Sequence, residues 1–584
     1  MTIHRMLMAA GIVLAGVSTA AGQTAIGASS SASNSLARRV DSLFLREIRR
    51  DGPGCAVGVY KDGKPVLSRG YGLASVEDRR PITARTTFNL GSASKPFTAL
   101  AALMLEQRGK LSLDDDVRRY VPELPDYGTP IRVRDLIQHT SGLRDYGALE
   151  TLGGKSVATM AEFIGLLASQ RALNFTPGTQ HEYSHSDYLV LGLVVERASG
   201  SVFGDHLARE VLRPMGMSGS AVHDAPASMI EARAFGHTVS SNGVRIRFPD
   251  DQTFGGTNLY TSVEDLAHWD RNLEEGRVGG RQLIARMLDR PSLPSGTRIP
   301  YAFGLRLGSY RGLRSVSRGG HPGGTRSEII RFPTERFGVA VLCNADHLEA
   351  SQFAHRVADI YLDGKMQPAR SRPNPPSIVL VDSTDLKRYA GVYRPVEQPW
   401  NLLPIELRNG DLVEVLFDDV RGDTLFTMTP AGKDRFFEIG TTGNVGIFTF
   451  RSSADGAPTR LEVSWNDGPA EVLDRVPDSL VWRPSAAALA EYGGVWFSPE
   501  LDVSWRFETR RDRLVLRRTG QHDLELRPVQ RDQFVRGFGS WLSTLAAHLQ
   551  FHRDSGGKIT HLTVSTPPGE DSARGVRFVR VPPQ

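Results

Sequence analysis

A short run in the first fifth of the chain, GSASKPF at residues 91–97, places a serine and a lysine three positions apart. The apolar stretch that follows it predicts a helix from about Ser92 to Gln107. Residues three apart at the start of a helix lie on one face, so the side chains of Ser92 and Lys95 can touch. Pro96 falls in the first turn, where its missing N–H group costs little.

Ser92 has the chemistry of an acyl-transfer nucleophile. A hydroxyl attacks poorly until a base takes its proton, and the amine of Lys95 can be that base if burial or a nearby cation keeps part of it neutral. A helix N-terminus adds N–H groups and a positive dipole end beside a developing oxyanion. The Ser-x-x-Lys spacing alone is common on helix surfaces, so the assignment depends on the rest of the sequence.

Two further motifs follow this run along the chain. The segment FTPG at 175–178 leads into YSH at 183–185, and HPGG at 321–324 precedes a strand-like stretch. With these motifs the chain resembles the penicillin-recognising serine hydrolases, in particular the class C β-lactamase-like branch. The resemblance covers about residues 35–362 and includes three looser signatures, which are LIQHTSGL at 136–143, YTSVEDL at 260–266 and VLCN at 341–344.

The resemblance implies a fold and a role for each matching residue. Ser92 attacks the substrate carbonyl, Lys95 and Tyr183 share its proton, and the backbone N–H groups of Ser92 and Gly324 form the oxyanion hole. The implied fold is α/β, an antiparallel sheet with flanking helices and a helical subdomain. The implied reaction passes through an acyl-enzyme and needs no cofactor.

The chain departs from the family pattern at two substrate-binding positions. The second motif usually reads Tyr-x-Asn, but here its third place is His185, which we expect to make acylation more sensitive to pH. The third motif begins with Lys in β-lactamases and carboxypeptidases, whereas here it begins with His321. Gly323 leaves room for a substrate to lie against the strand.

These departures favour one class of substrate. Histidine at the third motif is found in D-stereospecific aminopeptidases and esterase-like members of the family. We therefore expect hydrolysis of peptides or amides that contain D-residues, or of small esters. A D-Ala-D-Ala carboxypeptidase or β-lactamase is the alternative within the family, and a non-catalytic protein that binds cell-wall fragments is the alternative outside it.

A zinc-protease pattern overlaps the tyrosine motif. His181, Glu182 and His185 fit H-E-x-x-H, which on a helix would present two imidazoles on one face, and Glu196 could be a third ligand. Pro177 and Gly178 closely precede the motif and indicate a loop instead. We therefore treat this zinc site as a minor alternative and predict no metal.

The sequence divides into a catalytic part and two β parts. Within residues 35–365, strand-like segments at both ends enclose helical patches, which predicts one α/β unit whose sheet is closed by both termini. Asp62 and Gly63 lie between two apolar runs and predict a hairpin. A proline-rich linker follows at 366–378.

An internal repeat organises the rest of the chain. LKRYAGVY at 386–393 is echoed by LAEYGGVW at 489–496, 103 residues further on. We interpret the copies as two β-barrel-like domains, at 379–483 and 484–584, with one long sandwich as the alternative. In overall plan the chain is similar to D-stereospecific aminopeptidases, which carry two eight-stranded barrels after the catalytic domain.

Composition and the N-terminus bear on location and partners. The chain has 584 residues and a net charge of +5, with no long run of Lys or Arg, so we expect a small-molecule substrate and no nucleic acid. Residues 1–25 have the charged, apolar, small-residue order of a signal peptide, and residues 28–35 resemble a flexible lead-in. We predict a periplasmic or secreted protein without a transmembrane segment; the oligomeric state stays open.

The two cysteines, Cys55 and Cys343, both lie in strand-like apolar runs. We favour two separate buried thiols. A single long-range disulfide is the alternative, since an exported protein meets an oxidising environment.

Overall fold

The computed structural model describes most of the chain, and over residues 20–33 the backbone alone. The described residues are 20–224, 233–240, 243–247, 252–368, 374–395, 402–416, 424–440, 444–454, 456–466, 468–536, 547–567, 569 and 572–582. They form an α/β domain, defined here as residues 35–365, followed by a nine-stranded sheet and a closed barrel. Residues 1–19 of the predicted signal peptide lie outside the described residues.

A seven-stranded antiparallel sheet is the centre of the α/β domain, and both ends of the domain contribute to it. The first strand, Cys55–Lys61, pairs with the last, Phe337–Cys343, which confirms the predicted closure by both termini. The predicted hairpin also forms, with φ of 53° at Asp62 and 70° at Gly63. In spatial order the strands are Tyr301–Ala302, Leu305–Tyr310, Leu313–Gly320, Arg326–Phe332, Phe337–Cys343, Cys55–Lys61 and Lys64–Tyr71.

Helices cover both faces of this sheet. Ala20–Glu47 and Ala350–Tyr361 pack against one face, where their apolar residues join those of the central strands in one buried cluster. The other face packs against the helical region that carries the catalytic motifs. The helices of this region are Lys95–Gln107, Val133–Gln138, Tyr146–Gly153, Met160–Ala168, His185–Ser199, Phe203–Leu207, Ala208–Leu212, Arg213–Met215, Val263–Glu275 and Arg281–Met287.

Two expectations for the α/β domain are wrong. Residues 28–35, expected to be a flexible lead-in, belong to the helix Ala20–Glu47. Cys55 and Cys343 are not separate thiols but form a disulfide, because they face each other in neighbouring strands with a Cα–Cα distance of 4.0 Å. No helix among the described residues is long and apolar enough to span a bilayer.

The two repeats fold into separate antiparallel structures, which excludes the single sandwich. The second repeat opens a closed eight-stranded barrel, as the family resemblance implies. The first opens a nine-stranded sheet rather than an eight-stranded barrel, whose two edge strands, Thr424–Thr427 and Thr429–Gly432, are joined through Met428. This sheet is therefore nearly closed.

The strands of the two β structures follow in chain order. Those of the sheet are Gly391–Pro395, Leu403–Arg408, Asp411–Leu416, Thr424–Thr427, Thr429–Gly432, Arg435–Ile439, Val445–Ser452, Pro458–Trp465 and Glu471–Arg475. Those of the barrel are Gly494–Ser498, Val503–Arg510, Arg513–Arg517, Leu524–Gln530, Gln533–Arg536, Ala547–Arg553, Ile559–Ser565 and Val576–Arg580.

The repeated segments make the same local hydrogen bonds. Tyr393 donates its hydroxyl to the carbonyl of Tyr389, and Trp496 donates its indole N–H to the carbonyl of Tyr492. In each repeat the polar atom of the buried aromatic side chain therefore has its hydrogen-bond acceptor four residues earlier in the chain. The shared pattern explains why aromatic residues recur at these places of the sequence repeat.

Candidate active site

Ser92 lies in a tight turn between the central sheet and a helix. The predicted helix begins at Lys95 rather than at about Ser92, because residues Gly91–Ser94 form a single 3-10 turn ahead of it. This turn sits directly on the end of the strand Leu313–Gly320. A Cβ at Gly320 would lie 1.9 Å from the carbonyl oxygen of Leu90 and 2.8 Å from the nitrogen of Ser92, so glycine is required there.

The three residues predicted to be catalytic meet in one cluster. Ser92 Oγ is 2.8 Å from Tyr183 Oη and 3.0 Å from Lys95 Nζ. The Lys95 amine is buried and also donates to the carbonyl of Gly256 at 3.1 Å. The nucleophile therefore has two candidate proton acceptors within hydrogen-bond distance, which is the geometry that nucleophilic catalysis by a hydroxyl requires.

The buried position of the cluster changes the affinity of its groups for protons. Burial lowers the pKa of the Lys95 amine below its usual value. Burial alone would raise the pKa of Tyr183, but the positive charges of Arg318 and Lys95 outweigh it and lower the pKa to about 7. Tyr183 can therefore change protonation state near neutral pH, as a proton acceptor for Ser92 must, and the lowered pKa of Lys95 shifts it toward the neutral amine.

Sequence reasoning missed Arg318. It lies in the strand Leu313–Gly320, is almost fully buried and donates through Nη2 to Tyr183 Oη at 2.5 Å. Its Nε donates to the backbone carbonyl of Ser92 at 3.0 Å. Strand alternation could have indicated it, because Val316, Arg318 and Gly320 point to the same face of the sheet.

The HTSG segment at residues 139–142 packs against the ring of Tyr183 and hydrogen-bonds to Asp187. The buried imidazole of His139 packs on the Tyr183 ring with a centroid distance of 4.4 Å. Its Nδ1 is 2.8 Å from Asp187 Oδ2, and Ser141 donates to the other oxygen of the same carboxyl. Burial lowers the pKa of His139 and raises that of Asp187, so this network is held together with little net charge.

His185 lies beside Tyr183 and contacts a buried carboxylate. It begins the helix His185–Ser199, and its Nδ1 is 3.3 Å from the buried carboxylate of Asp145. Its ring lies edge-on to Tyr183 with a centroid distance of 5.1 Å. The residue thus reaches the rim of the cluster, and its part in substrate binding and in pH sensitivity stays a prediction.

The HPGG segment at 321–324 lies beside the turn that carries Ser92. Pro322 packs on the turn of the nucleophile, where a Cβ at Gly91 would lie 2.4 Å from its Cδ. His321 is exposed just beyond the strand end, and partial desolvation together with Arg326 lowers its pKa, which favours neutral imidazole. Gly324 has φ of +73°, and its assignment to the oxyanion hole, like that of Gly323 to the substrate surface, stays a prediction.

The zinc-protease pattern lacks the arrangement that its chemistry requires. His181 and Glu182 precede the helix that begins at His185, so the two imidazoles are not one helical turn apart on a common face. The Glu182 carboxylate instead contacts Ser572 and Arg574 of the barrel. Among the described residues there is no group of three or more His, Cys, Asp or Glu side chains that could hold a metal ion.

Comparisons with known proteins identify the family of the chain. The sequence profile of the family described as Beta-lactamase matches residues 37–362. A D-aminopeptidase from Brucella anthropi is 27% identical over 565 residues, or 92% of this chain and 98% of that protein. Penicillin-binding protein 4* from Bacillus subtilis is 27% identical over 395 residues, or 64% of this chain and 85% of that protein.

A solved structure has a similar fold. The octameric penicillin-binding protein homologue from Pyrococcus abyssi matches 75% of this chain and 100% of its own, with a TM-score of 0.54 and 21% identity.

Proposed function

Since this chain belongs to the beta-lactamase family and is a serine hydrolase of it, we propose that it removes D-residues from the amino terminus of peptides and amides. The observation that carries the proposal is the contact of Ser92 Oγ with both Tyr183 Oη and Lys95 Nζ, at 2.8 and 3.0 Å. Small esters, which carry the same acyl group on a better leaving group, are expected as further substrates.

The reaction proceeds through an ester on Ser92. Ser92 Oγ attacks the substrate carbonyl carbon while its proton passes to the oxygen of Tyr183, with the charge of Lys95 beside it. The bond between the carbonyl carbon and the leaving nitrogen then breaks, and the nitrogen takes the proton from Tyr183. Water then attacks the acyl ester and gives up one proton to Tyr183. The bond between the acyl carbon and Ser92 Oγ breaks, Oγ takes that proton from Tyr183, and the carboxylic acid is released.

The resemblance of the whole chain supports the D-aminopeptidase class. The relative named D-aminopeptidase aligns over 92% of this chain, so the match includes both β structures as well as the α/β domain. His321 supports the same class, because a neutral imidazole is a weak anchor for the carboxylate that carboxypeptidases and β-lactamases bind at this place.

Export is part of the proposal. The order of charged, apolar and small residues at the N-terminus supports a cleaved signal peptide. The disulfide between Cys55 and Cys343 supports an oxidising compartment, since such bonds are rare in the cytosol. We therefore propose that the protein works in the periplasm or outside the cell.

The test combines active-site labelling with a matched substrate panel. A fluorophosphonate should label the wild-type protein and the Ser94→Ala variant, which loses a hydroxyl two positions away, but should not label Ser92→Ala. D-aminoacyl amides should be hydrolysed faster than their L-enantiomers and faster than a chromogenic β-lactam. Equal labelling of Ser92→Ala would refute the nucleophile, and a preference for L-amides would refute the substrate class.

One observation favours a second candidate, a carboxypeptidase or β-lactamase. Two cations lie by the HPGG segment: Arg326 lowers the pKa of His321, and Arg247 is 3.4 Å from the position that a Cβ at Gly323 would take. Together they could hold a substrate carboxylate. If so, Arg247→Gln would raise KM for D-alanyl-D-alanine peptides and leave KM for D-alanine amide unchanged.

A further inference from the structure

We propose that Arg318 is a catalytic residue, which holds the oxygen of Tyr183 and stabilises the tyrosinate that accepts the proton of Ser92. The assignment rests on the acyl-enzyme chemistry proposed above and names a group that this chemistry needs. Neither the Ser-x-x-Lys run nor the tyrosine and histidine motifs include this residue, which precedes His321 by three positions.

Arg318 contacts both residues between which the proton moves, at the hydroxyl of Tyr183 and at the backbone of Ser92. One guanidinium nitrogen donates to Tyr183 Oη at 2.5 Å, and another donates to the backbone carbonyl of Ser92 at 3.0 Å. The guanidinium also lies 4.9 Å from the centroid of the Tyr183 ring. A planar, permanently charged fork can make these contacts together, whereas a lysine ammonium is a point charge.

The surroundings of Tyr183 favour its ionised form. Of the charges that face it, those of Arg318 and then Lys95 lower its pKa most, and His185 adds to them; burial acts in the opposite direction. The further titratable groups packed around this phenol are His139, Tyr188 and Tyr301. Burial lowers the pKa of His139 and raises that of Tyr188, so neither adds a charge near neutral pH.

Arg318 also explains how the chain works with histidine in its third motif. Lysine at that position would bring a second cation to the site, whereas desolvation and the charge of Arg326 lower the pKa of His321. Arg318 lies in the strand that ends just before His321, and its side chain donates to Tyr183 Oη. In this chain a permanent cation therefore contacts the proton acceptor, while the third motif begins with an imidazole.

The chemical step balances without any additional reactant. Before acylation Tyr183 is an anion paired with Arg318, and Ser92 Oγ donates to it. As the bond between Oγ and the substrate carbon forms, the proton moves to the Tyr183 oxygen, and the negative charge moves to the substrate oxygen. Arg318 keeps its charge throughout, so it stabilises the state before proton transfer and makes the acceptor available at neutral pH.

The experiment measures the protonation of Tyr183 directly and in turnover. Ultraviolet absorption of tyrosinate should show one phenol titrating near pH 7 in the wild-type protein, and this titration should be absent in Tyr183→Phe. The acid limb of kcat/KM on a D-aminoacyl amide should fall in the same range. In Arg318→Gln both should move up by more than one pH unit, with kcat/KM at pH 7 reduced at least about tenfold and partly restored at higher pH.

Two further variants keep the test decisive. Arg318→Lys retains a charge and should place the limb between those of wild type and Arg318→Gln. Arg314→Gln removes an exposed guanidinium from the same strand, which contacts the carbonyl of Leu288, and should leave the limb in place. If Arg318→Gln misfolds, the titration of Tyr183 in the wild-type and Arg318→Lys proteins decides.

The outcomes separate this inference from the proposed function. No phenol titrating near neutral pH in the wild-type protein, or an acid limb that Arg318→Gln leaves unmoved, overturns the role of Arg318. Full activity of Ser92→Ala overturns the proposed function itself, whatever the pH profile shows.

Discussion

The barrel and the nine-stranded sheet begin with equivalent segments, 489–496 and 386–393, but they join the α/β domain differently. Apolar residues of the barrel belong to one continuous cluster with the helical region around the active site. The apolar residues of the sheet form a cluster of their own. Similar local sequence has therefore produced one β structure that shares a core with the catalytic residues and one that does not.

Polar contacts show the same difference. Glu500 of the barrel forms a buried ion pair with Arg144 at 2.5 Å, and the carbonyl of Ser572 accepts from the backbone N–H of Asp145 at 2.8 Å. Arg574 contacts Glu182, the residue before Tyr183. Among the described residues, no ion pair joins the nine-stranded sheet to the α/β domain. We conclude that the barrel is a structural part of the catalytic unit.

The largest effect should come from the buried ion pair. Replacing Glu500 by Ala leaves the Arg144 guanidinium buried without its carboxylate, since both side chains are at most 2% exposed. We expect a loss of about 3–5 kcal/mol in the free energy of unfolding, measured by urea denaturation. Glu462→Ala removes an exposed ion pair with Arg451 in the sheet and should leave the midpoint of urea unfolding unchanged. Equal losses would contradict the comparison.

A smaller effect should appear in activity when the barrel releases the tyrosine segment. Arg574→Ala removes the cation that holds Glu182, so Tyr183 is less well placed against Ser92. We expect kcat to fall about tenfold with little change in KM or in the melting temperature. Arg460→Ala, which breaks an exposed pair with Asp474 in the sheet, is the control and should keep full activity.

Acidity should distinguish the two β structures as well. In the sheet, burial and mutual contact raise the pKa of Glu414 to about 8, and burial raises that of Glu438 to about 7. Above the ordinary carboxyl pKa of 4.5 the unfolded chain releases protons that the folded sheet retains. The stability of the sheet should therefore be greatest in acid and decline as pH rises from about 4.5 to about 8.

The barrel should respond in the opposite direction. Although burial raises the pKa of Asp532, hydrogen bonds from Arg553 and Tyr492 outweigh it and hold the pKa below its usual value. This contribution is present at neutral pH and is lost on acidification. Calorimetry should show the transition of the sheet falling as pH rises from about 4.5 to about 8, whereas the transition that includes the barrel should fall only below about pH 4, near the ordinary Asp pKa of 3.8, and Glu414→Gln should flatten only the response of the sheet. Parallel shifts would argue against separate cores.

The smallest effect should come from the exposed edge of the same interface. Lys155 pairs with Asp502 of the barrel at 3.0 Å, but both side chains are more than half exposed. Such a pair is screened by solvent and contributes little. Lys155→Gln should leave the melting temperature and the activity at wild-type values. A loss of stability as large as that of Glu500→Ala would show that exposed pairs, and not the buried ion pair, stabilise the interface.

Much of the site could be predicted because its motifs are local. Ser92 and Lys95 could be identified from their spacing within one turn. Tyr183 could be identified because its motif lies between the Ser-x-x-Lys run and the HPGG segment. Sheet register and tertiary packing are not local, and this is why the disulfide between Cys55 and Cys343 was only the alternative to two thiols, and why the contact of Arg318 with Tyr183 was not predicted. Antiparallel pairing of two strands places Cys55 opposite Cys343, and packing of the sheet against the segment before the helix His185–Ser199 brings Arg318 to Tyr183.

The number of strands in each β structure also could not be predicted from the sequence. The repeat at 386–393 and 489–496 indicates two related units, but it covers only the segment that leads into the first strand of each unit. Whether a sheet closes depends on its number of strands and their stagger, which no short segment records. Two related starting segments could therefore lead to eight strands in one case and nine in the other.

The bond between Cys55 and Cys343 turns 288 residues of sequence separation into a covalent ring. Every member of the catalytic cluster lies on that ring, including Ser92, Tyr183 and Arg318. A protease that cuts any one loop of the ring opens it without releasing a fragment, so the pieces stay together until the bond is reduced. A single cut within the ring would therefore leave Ser92, Tyr183 and Arg318 in one covalently connected molecule.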